Sequence, residues 1–163
     1  MSQLGLTNTI ATATGILGCA WWAGATASLS MFSVPAILPS AGSEPAHALR
    51  QWQHIFLSGA STGPKVALVT FLTLAYSAYD RRSQGVAWKP YATAAALGLA
   101  IVPFTLIFMS PTNSALMAGA QGVKTLGSSE TTELLTRWRA LNFVRSLFSL
   151  AGAGVGLWYA VSQ

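Results

Sequence analysis

Residues 91–109 read YATAAALGLAIVPFTLIFM. No charged side chain interrupts them, and their length just meets the roughly 20 residues a helix needs to cross a hydrocarbon core. Lys89-Pro90 opens the stretch and Pro111 closes it, since proline suits a first helical turn and breaks an interior one. Towards the N-terminus, the polar run Asp80-Arg81-Arg82-Ser83-Gln84-Gly85 separates this span from a long helical pattern over 46–79. No charge occurs before Glu44, so a further span fits 9–38, with Pro35 and Pro39 ending it. On the other side, 112–136 mixes Gly119, Gly122, Gly127 and two serines with Lys124, Glu130 and Glu133, and reads as an extramembrane connection. Beyond it, 138–160 is apolar apart from Arg139, Asn142 and Arg145.

These runs predict an all-α fold, an integral membrane, antiparallel four-helix transmembrane bundle with spans at about 9–38, 46–79, 90–109 and 138–160. One membrane-embedded domain over 1–163 is expected. The composition agrees: 52% of the 163 residues are hydrophobic and 8% charged, where a soluble domain is about a quarter charged. A water-soluble globule is thereby excluded. The net charge of +5 is scattered, with no basic run longer than Arg81-Arg82, so it reads as flanking charge for membrane lipid rather than a nucleic-acid surface. Arg81, Arg82 and Lys89 stand on one side against Arg50, Lys124, Arg137 and Arg139 on the other, and the compact Arg81-Arg82 loop is assigned to the cytoplasm. The start MSQLGLTNT lacks the basic flank of a signal peptide, so the first span is expected to be retained. The result is a multi-pass membrane protein, of the endomembrane system if the cell is eukaryotic. Cys19, the single cysteine, excludes an internal disulfide and a cysteine-only metal site.

Polar residues inside these spans mark the candidate site. Gln51, His54, Ser58, Ser61, Thr62 and Lys65 share one face of span two, and Trp138, Asn142, Arg145, Ser149 and Gly152 share one face of span four. An unpaired cation at the bilayer centre costs at least ~2.5 kcal/mol, so Lys65 and Arg145 are expected to turn into the bundle and the two stripes to face each other. His54, the segment Ser110-Pro111-Thr112-Asn113, the start of span four, and Ser30 with Ser33 all fall at one end, which predicts a pocket between helices there. Each residue also has a plainer role: His54 solvated at an interface, Lys65 snorkelling, the hydroxyls bonded to their own helix, the six tryptophans marking interfaces or packing. Gly152 and Gly156 fit either close packing inside the bundle or a homo-oligomer. The sequence contains no P-loop, GxSxG, HExxH or CxxC motif, so phosphate transfer, serine hydrolysis and zinc chemistry lack their groups.

Leu49-x-x-Trp52 ahead of Gly59 and Pro64, then Ser110-Pro111-Thr112-Asn113-x-x-Leu116, then Trp138-x-x-x-Asn142-x-x-Arg145, resembles the anthrone oxygenase-like family of small four-span membrane proteins. Many members of that family carry His where this chain has Asn142. The resemblance implies oxidation of an anthrone-type aromatic polyketide to its anthraquinone with dioxygen, on an apolar aromatic substrate arriving from the membrane. It implies His54 as general base, Arg145 stabilising the developing oxyanion, Asn142 and Asn113 positioning substrate oxygens, and Trp138, Trp52, Ser58 and Lys65 lining the substrate. The chemistry runs without a cofactor, or on a haem b ligated by His54 with Arg145, Arg137 or Arg139 pairing its propionates. The reading from another class is a non-catalytic tetraspan subunit or scaffold, in which the stripes only join helices.

Overall fold

A computed structural model describes residues 5–162; residues 1–4 and 163, which fall within the single domain expected over 1–163, lie outside the described residues. Every regular element among the described residues is helical. In chain order these are α1 (Leu6–Ser28), a π turn (Leu29–Ser33), α2 (Val34–Ser43), α3 (Pro45–Ser83), α4 (Lys89–Leu99), α5 (Ile101–Phe104), a second π turn (Thr105–Met109), α6 (Ser110–Ala120) and α7 (Ser128–Val161). The fold is all-α; the first expected span, 9–38, is helical through α1, the π turn and α2 but is not among the helices long and apolar enough to cross a membrane. Pro45–Ser83, Lys89–Ala120 and Ser128–Val161 are long and apolar enough to cross a membrane.

The prolines act differently from the sequence reading. Pro35 and Pro111 do not end helices; each sits in the first turn of the helical segment after a π turn. A proline ring presses on the carbonyl four residues back and denies it a hydrogen bond. Those carbonyls belong to Met31 and Ile107, and both lie inside a π turn, where the widened backbone takes up the clash. Helical structure therefore runs on to Ser43 and to Ala120, and α7 begins at Ser128, so the connection expected over 112–136 shrinks to 121–127.

Glycine sets the ends of α3 and α6. At the end of α3 the Gly85 N–H donates to the Arg82 carbonyl and the Val86 N–H to the Arg81 carbonyl, a Schellman cap whose turning residue has φ +71°. Gly122, φ +73°, ends α6 the same way, with bonds to Gly119 and Ala118.

The chain divides into two compact units. The first comprises 5–24, 63–101 and 146–162, with a core of Ile16, Cys19, Leu74, Ala78, Tyr91, Ala94, Ala95 and Ala153. Gly152 and Gly156 serve packing here: a Cβ on Gly152 would lie 3.0 Å from the Ala94 carbonyl oxygen, and one on Gly156 2.9 Å from Ile16. The Asn8 amide joins helices by donating to Asp80 at 2.7 Å and to the Ser77 carbonyl at 3.3 Å. The second unit comprises 25–62 and 102–145, with a core that includes Val34, Ile37, Leu49, Trp52, Met109, Leu116, Leu135 and Trp138.

Candidate functional site

The second unit holds a polar cluster built on α7. Asn142 is fully buried. Its amide nitrogen donates to the Thr26 carbonyl at 2.7 Å and to Ser30 Oγ at 2.8 Å, and its carbonyl oxygen accepts from Arg145 Nη2 at 2.6 Å. Arg145 Nη1 reaches Thr105 Oγ1 at 3.3 Å, while its Nε is buried with no hydrogen-bond partner among the described residues. One turn before Asn142, Arg139 Nε donates to the Ser30 carbonyl at 2.9 Å.

Both π turns supply this cluster. Ser30 belongs to the first and Thr105 opens the second. A π turn moves backbone bonding from the fourth to the fifth residue, as in the bond from the Val34 N–H to the Leu29 carbonyl. The local widening turns main-chain carbonyls and short hydroxyl side chains towards a neighbouring helix, which is what Asn142, Arg139 and Arg145 exploit.

Beside the cluster lies an aromatic wall. Trp138 Nε1 donates to Asn113 Oδ1 at 2.9 Å, fixing both side chains. Trp52 meets Trp138 edge-on, with ring centroids 6.0 Å apart and planes at 88°, and stacks on Phe56 at 5.0 Å. Trp52 Nε1 and Thr112 Oγ1 are buried polar atoms without a hydrogen-bond partner among the described residues. Such atoms cost about 1–3 kcal/mol each when left unpaired.

Not every sequence candidate joins this arrangement. Asn113, Trp138 and Trp52 come together, as do Asn142 and Arg145. His54, Ser58, Ser61, Thr62 and Lys65 are all exposed, so the expectation that the stripe of span two faces that of span four is not met. The face of α3 that turns inward carries Ala48, Leu49 and Trp52, the apolar bulk that packing favours. The stripe needs no partner because Ser58 Oγ bonds the His54 carbonyl and Ser61 Oγ the Ser58 carbonyl, each at 2.9 Å. Lys65 belongs to the other unit. Sequence reasoning missed Thr26 and Thr105. The usable signal was the proline six residues after Thr105, read as an internal proline with a displaced backbone before it. Among the described residues no three His, Cys, Asp or Glu side chains gather as a metal site.

Long apolar helices, a buried amide that holds a guanidinium, and a tryptophan pair define a small all-helical protein with a polar cluster inside one unit. The chain belongs to the anthrone oxygenase family, whose model, described as Anthrone oxygenase, matches residues 52–155. Monooxygenase hypC of Dothistroma septosporum is 39% identical over 137 residues, covering 82% of this chain and 74% of the relative. Anthrone oxygenase ptaC of Pestalotiopsis fici is 38% identical over 135 residues, 79% of this chain and 95% of the relative. Anthrone oxygenase AgnL2 of Paecilomyces divaricatus is 34% identical over 158 residues, 93% and 95% respectively. The protein is thus an oxidoreductase of the anthrone oxygenase type. No solved structure matches the chain.

Proposed function

We propose that this chain acts as one multi-pass membrane domain that converts an anthrone-type aromatic polyketide to its anthraquinone with dioxygen, within the unit formed by 25–62 and 102–145. The observation that carries this reading is Arg145, whose guanidinium is held by Asn142 and Thr105 while its buried Nε is left with a hydrogen to donate. Family membership and the named activities of the relatives supply the reaction class. Three helices of membrane-spanning length and apolarity support lipid as the surrounding phase and as the route by which an apolar substrate arrives.

The anthrone methylene lies between two aryl rings and is acidified by the carbonyl across the central ring. Removing one proton gives an anion whose charge sits largely on that carbonyl oxygen. A preorganised cation at this oxygen favours the anion over the ketone, and a fixed donor does so without reorganising during the reaction. Arg145 fills that role, oriented by Asn142. Asn113 and the tryptophan wall position the rings, and Thr112 Oγ1 offers a bond to a phenol. His54 stands apart from the Asn142–Arg145 cluster, on the exposed face of α3 in the same unit, and as general base takes the methylene proton of a substrate that reaches from that cluster to this face. The electron-rich carbon then combines with dioxygen, and the resulting hydroperoxide loses water. The carbon exchanges two hydrogens for one oxygen atom, and the second oxygen leaves as water.

The residues do not fit a haem. An axial imidazole calls for an enclosed pocket, whereas His54 is exposed. No step is routed through haem.

Purified protein in detergent, supplied with an anthrone and labelled dioxygen, is expected to form the anthraquinone with one labelled oxygen, faster than the spontaneous oxidation. Turnover no faster than the protein-free control would replace this reading by the scaffold. Loss of that turnover in Arg145→Ala with the fold retained would support the site.

A further inference from the structure

The first unit carries a cleft that the reaction does not use. It has a volume of about 500 Å³ and lies at the turn between α3 and α4, lined by Arg82, Val86, Trp88, Lys89, Pro90 and Tyr159. The Gly85 cap folds the chain back sharply enough to bring Arg82, at the end of α3, beside Trp88 and Lys89 at the start of α4. The Arg82 guanidinium lies 5.1 Å from the Trp88 ring centroid, so it is held in place by a cation–π contact. The acid next in sequence, Asp80, is engaged elsewhere: its oxygens accept from Asn8 at 2.7 Å and Gln84 at 3.1 Å. Among the described residues neither Arg82 nor Lys89 has a carboxylate partner. The positive end of the α4 dipole adds to the same field.

We propose that this cleft binds the phosphate group of an anionic membrane lipid. Its two cations would hold the phosphate, with Trp88 and Tyr159 against the glycerol and upper acyl region. The location favours a lipid over a free anion. The cleft lies where two helices long and apolar enough to cross a membrane meet, which is where headgroups lie if the chain spans the bilayer as proposed above. Its walls are amphipathic aromatics, which a bare phosphate would leave unused. The proposal rests on the membrane reading and not on the oxidation chemistry.

The test uses the full-length protein in detergent, exchanged into bilayers of phosphatidylcholine with or without phosphatidylglycerol, and reads retained lipid by native mass spectrometry. Wild type is expected to retain phosphatidylglycerol in preference. Each cation near an anionic surface is worth about fivefold in binding, so Arg82→Gln with Lys89→Gln should weaken the preference roughly 30-fold, with unchanged helical circular dichroism. Equal retention of both lipids by wild type, or an undiminished preference in the folded double variant, would overturn the proposal. Displacement of phosphatidylglycerol by an equal concentration of inorganic phosphate would also overturn it in favour of a free-anion site. Should the protein stay monodisperse in water without detergent, the membrane reading itself fails, an outcome distinct from a membrane protein that shows no lipid preference.

Discussion

The carbonyl oxygen of Asn142 accepts a 2.6 Å hydrogen bond from Arg145 one turn along α7, and it has no other way to face. Both hydrogens of the same amide go to the opposite side, to the Thr26 carbonyl and to Ser30 Oγ. An amide flip would set its oxygen against the Thr26 carbonyl and its NH₂ against the guanidinium, losing the bonds to Thr26 and Arg145. Asn142 thus fixes where the Arg145 charge sits. Replacing it by Asp keeps an acceptor for Arg145 but removes both donors and presents a carboxylate to the Thr26 carbonyl. Asn142→Asp is expected to lower stability by about 1–3 kcal/mol and to cut kcat more than it raises KM, because the new charge neutralises the cation. Thermal unfolding in detergent and steady-state oxidation check both; unchanged kcat would separate Arg145 from the chemistry.

Thr105 holds the other arm of the same guanidinium. Thr105→Val keeps the shape of the second π turn and removes only the hydroxyl, so Arg145 gains a freedom that an oxyanion site does not tolerate. Turnover should fall by about tenfold, corresponding to one hydrogen bond to a charged group, and Thr105→Ser should restore most of it. If Val and Ser behave alike, the hydroxyl has no part in placing the cation.

His54 offers a sharper separation of fold from function. Its side chain is exposed and without a hydrogen bond among the described residues, so His54→Ala should leave the melting temperature unchanged. As general base it should account for about 10²- to 10⁴-fold in rate. Retention of near-wild-type turnover would remove His54 from the mechanism.

Two neighbouring glycines give a control for packing in the other unit. A methyl group on Gly152 would come within 3.0 Å of the Ala94 carbonyl, whereas one on Gly154 meets nothing within 4 Å. Gly152→Ala should destabilise by about 1–3 kcal/mol, and Gly154→Ala should be neutral or stabilising, because alanine is the better helix former. Equal melting temperatures for the two variants would contradict the close approach.

The helices were legible because charge-free runs and glycine-rich breaks are properties of local sequence. Their ends were misplaced where proline was involved, since Pro35 and Pro111 look like stops until the π turns before them are known. The α7 stripe was legible for the same reason: Trp138, Asn142 and Arg145 recur at helical spacing, and all three engage partners. On α3 periodicity identified a stripe but not the direction it faces. Trp52 decided that, because an indole gains more from packing than serines that already bond their own helix. Thr26 was out of reach of any motif, since Asn142 uses its backbone carbonyl, which every residue possesses.

The π turns also bear on how this chain compares with its relatives. Each amounts to one residue inserted into a helix, and removing such a residue turns everything downstream by about 100°. A homologue that runs straight through either place as an ordinary α-helix should be one residue shorter there. Aligning the two correctly then requires a single-residue gap in the middle of a helix, at 29–33 or 105–109, where gaps are ordinarily forbidden. Without that gap, Asn113 would be set against the wrong column, and a shared site would look like a substitution.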